Sequence, residues 1–258
     1  MAEPTPVFTD RRRAESFGSV ADEYDRHRPR YPQALIERLL TAPGLTVLDV
    51  GAGTGILSAQ LTSAGARVLA VEPDEQMAAR CLAKGIPVER STFEQWQTHD
   101  RTFDLVTFGQ SFHWVDPDVA LPKLASLLTA GGRLALMWNR IMPSDSTRRA
   151  LERTSAEYGV TTPASTSANN AETALHATLR RGDFTVERVE VGEELHYSTE
   201  DWLSLVFTHS NHVVLEPAAK TALRTRLRDV LGDEGVNATN DALALICTRT
   251  DVTPASRG

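Results

Sequence analysis

The chain has 258 residues, 41% hydrophobic and 24% charged, with 16 Gly and 13 Pro, a composition that builds a packed domain and excludes collagen, low-complexity fibre and wholesale disorder. The 27 basic and 34 acidic side chains leave a formal charge of −7, so a phosphate backbone is a poor partner and no nucleic acid is expected. Apolar blocks such as Leu134–Trp138 fall far short of the roughly 20 residues of a membrane span, the opening MAEPTPVFTDRRR lacks the apolar stretch of a secretory signal, and Cys81 and Cys247 make neither a metal-ligand nor a disulfide pattern. The expectation is a cytoplasmic protein without membrane contact.

In chain order, residues 1–15 read as a flexible tail and 250–258 as another, with 16–249 a single domain between them. From residue 46 to 139 strand-like and helix-like runs alternate. Thr46–Val50 is a strand, and Ile56, Leu57, Leu61 and Ala64 mark one face of a helix. Arg67–Val71 is the second strand, followed by a helix carrying Met77, Ala78, Cys81 and Leu82. Pro87–Glu89 and Phe103–Phe108 are the third and fourth strands. Ala120, Lys123, Leu124, Leu127 and Leu128 recur at helical spacing, Gly131-Gly132 stops that helix, and Arg133–Trp138 is the fifth strand. Such alternation predicts a parallel sheet covered on both faces. Residues 140–240 lose the rhythm: helices over Ser146–Tyr158, Glu172–Arg180, Thr199–Phe207 and Pro217–Leu231, a mobile loop over Val160–Asn170, and strands over Phe184–Glu190 and Ala242–Thr248. The helices outnumber simple crossovers, so some should cap the ligand edge of the sheet.

The segment Val47–Gly55 (VLDVGAGTG) sets Gly51, Gly53 and Gly55 where a strand passes into a helix. Glycine admits positive φ and close ligand approach, and the helix N-terminus beyond offers unpaired N–H groups. In an open parallel sheet this is the carboxyl-end crevice where ligands bind. A dinucleotide fingerprint would need glycine at position 56, which is Ile56. Glu72 ends the second strand, 21 residues after Gly51, where a carboxylate accepts both hydroxyls of an unphosphorylated ribose.

VLDVGAGTG followed by VEPDEQM resembles motifs I and II of the class I S-adenosylmethionine-dependent methyltransferases. STFE (Ser91–Glu94) and FDLVTFGQSFHWVD (Phe103–Asp116) are similar to the small-molecule branch called type 11, and SFHW resembles a subgroup that includes the trans-aconitate methyltransferases. FGSVADEYDRHRPRYP (Phe17–Pro32) is similar to that subgroup's N-terminal cofactor clamp, here residues 16–45. The fold implied is α/β: a Rossmann-like, seven-stranded, mostly parallel sheet with helices on both faces, an N-terminal helical arm and helical cap insertions in the C-terminal half.

The resemblance implies residue roles. Gly51, Ala52, Gly53 and Gly55 underlie the amino-acid part of S-adenosyl-L-methionine, and Asp49 either orders that loop or reaches the ammonium through water. Glu72 holds the ribose, with Pro73 and Met77 beside the adenine. The Phe93 N–H meets the ring. Thr92 stands where many relatives carry Asp for the exocyclic amine, and Glu94 is either its substitute or a surface charge. Arg28 pairs with the cofactor carboxylate, Tyr24 and Tyr31 close over it, and Gln110 lines the methyl-donor site. Trp114 is either an aromatic wall for the sulfonium or a packing residue. His113 is either the general base or, for a carboxylate acceptor, a hydrogen-bonding or packing residue. Trp138, Asn139, His209 and Ser210 fall on the acceptor side. His209 and His212 lack the further ligands of a metal site, so no metal is expected.

The function implied is methyl transfer to a small organic acceptor, first O-methylation of a hydroxyl or carboxylate, with S-adenosyl-L-homocysteine as product. N- or C-methylation and a non-catalytic, cofactor-sensing protein stay open. Nucleic-acid amino-methylation wants Asn/Asp-Pro-Pro-aromatic where Gly109-Gln110-Ser111-Phe112 stands.

Overall fold

A computed structural model describes residues 17–160 and 165–250; the two tails, but for Thr250, and part of the expected mobile loop lie outside the described residues. Strands β1 (Thr46–Val50), β2 (Arg67–Val71), β3 (Val88–Glu89), β4 (Phe103–Gly109) and β5 (Leu128–Trp138) are parallel, in the order β3-β2-β1-β4-β5. β8 (Val236–Arg249) joins β5 antiparallel, Trp138 facing Leu243. β6 (Ile141–Pro143) continues along the same flank of β8, and β7 (Phe184–Tyr197) covers the other flank over its full length. In the Rossmann-like α/β sheet β8 alone among these strands is therefore reversed, since β5, β6 and β7 each pair antiparallel with it and so run the same way.

Strand alternation divides the core. Val47, Leu105, Ala135 and Met137 face one side, packed on Leu35, Ile36, Leu39, Leu57 and Leu61; Leu48, Val106, Phe108, Leu134 and Leu136 face the other, packed on Leu124 and Leu127. Both faces are apolar because helices cover both. Helix α1 (Ala21–His27) and α2 (Gln33–Leu39) form the N-terminal arm, while α3 (Ile56–Ser63), α4 (Glu75–Ala83) and α5 (Pro117–Leu127) are the crossovers. Their starts follow capping chemistry: Asp74 accepts the Gln76 and Met77 N–H groups at 2.9 and 3.0 Å, and Asp116 accepts that of Asp118 at 3.0 Å with Pro117 beginning the helix.

The second half is α6 (Asp145–Ala156), α7 (Ser165–Arg181), α8 (Thr199–Val206), α9 (Ser210–Val213) and α10 (Pro217–Leu231). Leu203, Phe207, Leu223, Leu227 and Val160 make a separate small core there. Three sequence expectations change. The stretch expected as a loop to Asn170 is helical from Ser165, and Val160 is buried. Gly131-Gly132 do not stop α5, which ends at Leu127; they lie inside β5, where the register against β4 shifts and the Thr129 backbone leaves no room for a Cβ on Gly132. Among the described residues the half holds three strands and five helices rather than two and about four: β5 resumes as β6 after Asn139, and the short α9 stands between α8 and α10.

The arm is fixed on two sides. Asp22 pairs with Arg80, and Asp25 with Lys84, on α4; His27 faces Asp201 on α8 at 3.6 Å. No helix among the described residues is long and apolar enough to cross a membrane.

Candidate active site at the carboxyl edge of the sheet

The β1–α3 loop is built by its glycines. Gly51, Gly53 and Gly55 have φ of 63°, 57° and 78°, a region that costs other residues energy. A Cβ on Gly51 would fall 2.6 Å from Ser111 Cβ, and one on Gly55 would fall 2.5 Å from Cys81 Sγ, whereas one on Gly53 would meet nothing within 4 Å. The first and last glycines thus serve packing, and the middle one presents open backbone. The Gly51 and Ala52 N–H groups both donate to the Val71 carbonyl, at 2.8 and 3.2 Å, which seats the loop on β2.

Two buried carboxylates brace it. Asp49 accepts Ser58 Oγ at 2.5 Å and Thr107 Oγ1 at 2.8 Å; burial drives its pKa up to about 6 against those bonds. Thr107 stands opposite Asp49 in the β1–β4 pairing. Glu72 accepts the Gly53 N–H at 2.8 Å and the Asp74 N–H at 2.9 Å. Burial raises its pKa to about 7, the two N–H groups opposing and the Asp74 and Asp49 charges adding. The residue expected to grip a sugar therefore also holds the middle glycine.

A cleft opens over this loop. Asp49 and Gly51–Gly53 form its floor, Tyr24, Arg28 and Tyr31 of the arm one wall, and Gln110 and Asn139 the other. Gln110 takes φ 57°, a strained value for glutamine, with its N–H on the Met137 carbonyl at 2.8 Å. Arg28 lies over the Tyr24 ring at 4.8 Å and donates to the Thr208 hydroxyl at 2.9 Å and carbonyl at 3.1 Å, so the arm is tied to the cap as well as to the cleft. Tyr31 exchanges backbone hydrogen bonds with the Gln60 amide at 2.9 and 2.8 Å. Asn139 donates to the Pro29 and Arg30 carbonyls, each at 3.3 Å, and accepts from Asn240 at 2.9 Å.

The other expected residues are dispersed. Met77 is buried and Pro73 exposed beside Glu72. Phe93 is a core residue, edge-on to Phe108 at 5.6 Å. The Thr92 carbonyl accepts the Trp96 N–H at 2.9 Å, and Glu94 Oε1 accepts the Asp116 N–H at 3.2 Å. His113 is exposed on the turn Phe112–Trp114, its ring 4.8 Å from that of the half-buried Trp114; neither lines the cleft. Trp138 packs against the main core. His209 and Ser210 sit at the start of α9, immediately after the residue that holds Arg28, with His209 Nδ1 3.0 Å from the Val206 carbonyl. His212 is buried against Phe207, ring centroids 5.3 Å apart, and burial lowers its pKa to about 4.

Sequence reading missed Thr107, Ser58, Gln60, Thr208 and Asn240. Thr107 was reachable, since pairing the first and fourth strands puts it beside Asp49. The others have no local signal, being ordinary polar residues that matter through partners distant in the chain.

Residues 48–136 match the model of the methyltransferase domain family. An uncharacterized methyltransferase of Mycobacterium tuberculosis is 31% identical over 240 residues, covering 91% of this chain and 94% of its own. A demethylmenaquinone methyltransferase of Thermobifida fusca is 33% identical over 139 residues, 48% of this chain and 59% of its own. Among solved structures, one from Anaeromyxobacter dehalogenans assigned as a type II methyltransferase superposes with a TM-score of 0.60 at 19% identity, over 85% of this chain and 97% of its own; that likeness speaks for the fold.

Proposed function

The chain belongs to the class I S-adenosylmethionine-dependent methyltransferases, and from that premise we propose that it methylates a small organic acceptor, in the first place on the oxygen of a hydroxyl or carboxylate. The observation that carries the reading is the open face of Gly53 held by the buried Glu72 carboxylate. An adenosyl amino acid fits these residues: backbone is free to approach, and the carboxylate has capacity for two hydroxyl donors beyond the N–H groups it accepts. Bound there, S-adenosylmethionine supplies a methyl group on a good, neutral leaving group.

The residues around it have positioning tasks. Gly51–Gly53 and Asp49 receive the amino-acid end, and Glu72 the ribose. Arg28 keeps guanidinium donors beyond the two given to Thr208 for a carboxylate. Tyr24 and Tyr31 exclude water from that side. Alignment of acceptor and methyl is worth about 7–11 kcal/mol, so the site needs few reactive groups. His113, Trp114, Trp138, Asn139, His209 and Ser210 are the acceptor-side candidates, and His113 takes a proton where the acceptor is a hydroxyl and has none to take where it is a carboxylate. The formal net charge of −7 supports a small molecule over nucleic acid.

Calorimetry with S-adenosyl-L-methionine, S-adenosyl-L-homocysteine and NAD, followed by labelled methyl transfer to a panel of small carboxylic acids and phenols, tests the proposal. Binding of the first two and label on a panel oxygen are expected. Binding of NAD alone overturns the reading, and label on nitrogen or carbon replaces the O-methylation part of it.

A further inference from the structure

Lys123 of α5 makes contacts that the proposed reaction does not yet use. Its ammonium donates to the Phe93 carbonyl at 2.6 Å and the Trp96 carbonyl at 2.5 Å, with the Glu94 carbonyl at 3.4 Å. It also lies 4.9 Å from the Phe93 ring centroid and 5.6 Å from that of Trp96. An ammonium has three protons and no acceptor, so this one is spent wholly on one loop. Burial lowers its pKa from the ordinary lysine value, with Glu94 opposing.

The loop is a single helical turn, closed by the Trp96 N–H on the Thr92 carbonyl at 2.9 Å. In such a turn the carbonyls face one end and the N–H groups the other. A cation gathering the carbonyls therefore orients the N–H end away from itself. That end follows β3, whose Glu89 pairs with Val71, the residue before Glu72. Among the described residues, the Phe93 and Glu94 N–H groups donate to no backbone or side-chain acceptor. A second brace holds the other flank of the loop: Glu89 accepts Trp96 Nε1 at 2.5 Å and two N–H groups of Arg101 at 2.6 and 2.9 Å.

We propose that Lys123 is a positioning residue for base recognition, gathering the carbonyls of residues 93, 94 and 96 so that the N–H groups of Phe93 and Glu94 are held for the ring acceptors of adenine. The inference rests on the cofactor reading above and deepens it. Lys123 touches no cofactor; it acts through the turn. A disordered turn would still let the methionine and ribose ends bind, but base selectivity would go.

The test titrates the full chain and its Lys123→Met, Lys123→Gln and Lys123→Arg variants with S-adenosyl-L-homocysteine and with its hypoxanthine analogue, S-inosyl-L-homocysteine. The unaltered protein is expected to prefer the adenine compound. Lys123→Met should lose tenfold or more of that affinity and much less for the analogue, so the preference collapses. Lys123→Arg, which can still donate to several carbonyls, should restore most of it, with Lys123→Gln between. An unchanged preference in Lys123→Met overturns the proposal, as does an equal loss for both ligands, the mark of a merely structural lysine. If the Met variant does not fold, an unchanged preference in Lys123→Gln overturns it equally. Lack of preference in the unaltered protein also overturns it. Failure of the unaltered protein to bind either nucleoside overturns the cofactor reading, and this inference falls with it.

Discussion

The floor and the roof of the cleft are made in opposite ways. On the floor, Asp49, Gly51, Gly53, Gly55 and Glu72 come from two consecutive β–α junctions, and their contacts span few residues: Gly53 to Glu72, Ser58 to Asp49. On the roof, Arg28 reaches Thr208 across 180 residues, and Asn139 joins Pro29 to Asn240. A local floor can be rigid whatever lies above it; a roof assembled from distant segments can change its acceptor while keeping the same floor. The roof also has its own small core, so the two can be perturbed apart.

The largest expected effects break that separation from each side. Leu227→Ala removes a fully covered side chain from the cap core, which costs about 2–5 kcal/mol of stability in the cap. Affinity for S-adenosyl-L-homocysteine should persist where the protein is folded, while turnover of any acceptor found falls. Gly51→Ala does the reverse: a positive-φ penalty of about 1–2 kcal/mol joins an overpacking cost of about 1–3 kcal/mol against Ser111, and cofactor binding should be lost. Denaturant melts paired with calorimetry read both. Cofactor binding lost in Leu227→Ala at full fold would mean that floor and roof are one unit.

Glu72→Gln comes next. Losing a charge-assisted acceptor costs roughly 1.5–3 kcal/mol, about tenfold or more in cofactor affinity. The pH dependence sharpens the attribution. Burial raises the folded pKa of Glu72 above its ordinary 4.5 to about 7, so the folded state binds the proton more tightly than the unfolded chain. Stability from this group is then full below about 4.5 and declines as pH rises toward 7. Cofactor affinity should run the other way, rising through about 7 as the carboxylate ionises and can accept two hydroxyls. Both slopes should flatten in Glu72→Gln. A variant with undiminished affinity and the same pH profile would remove Glu72 from the site.

This contrast also explains what could be read in advance. The alternating runs from Thr46 to Trp138 carry their periodicity in the chain, and the glycine loop carries its spacing, so the positions of the strands, the parallel sheet and the glycine loop were legible, while the strand order came only with the structure. Gly131-Gly132 misled because a pair of glycines marks a strand irregularity as readily as a helix end, and only the β4–β5 register distinguishes them. The helix from Ser165 was hidden in a run of small polar residues whose propensity is weak. Thr208 and Asn240 carry no pattern of their own. Their importance is a product of topology, which sets a late loop beside an early arginine.

The smallest expected effect isolates one strut of the roof. Arg28 donates to both the hydroxyl and the carbonyl of Thr208, so Thr208→Val removes the first bond and keeps the second, and Arg28→Ala removes both. If the pair serves only to join arm and cap, a double-mutant cycle on stability should give a coupling near 1 kcal/mol, and Thr208→Val should leave cofactor affinity nearly unchanged. Arg28→Ala should lower that affinity further than Thr208→Val does, because it also removes donors facing the cleft. The order of the two variants is the informative quantity. Equal losses of affinity would mean that Arg28 acts on the cofactor only by holding the cap, and its charge would then belong to the roof alone.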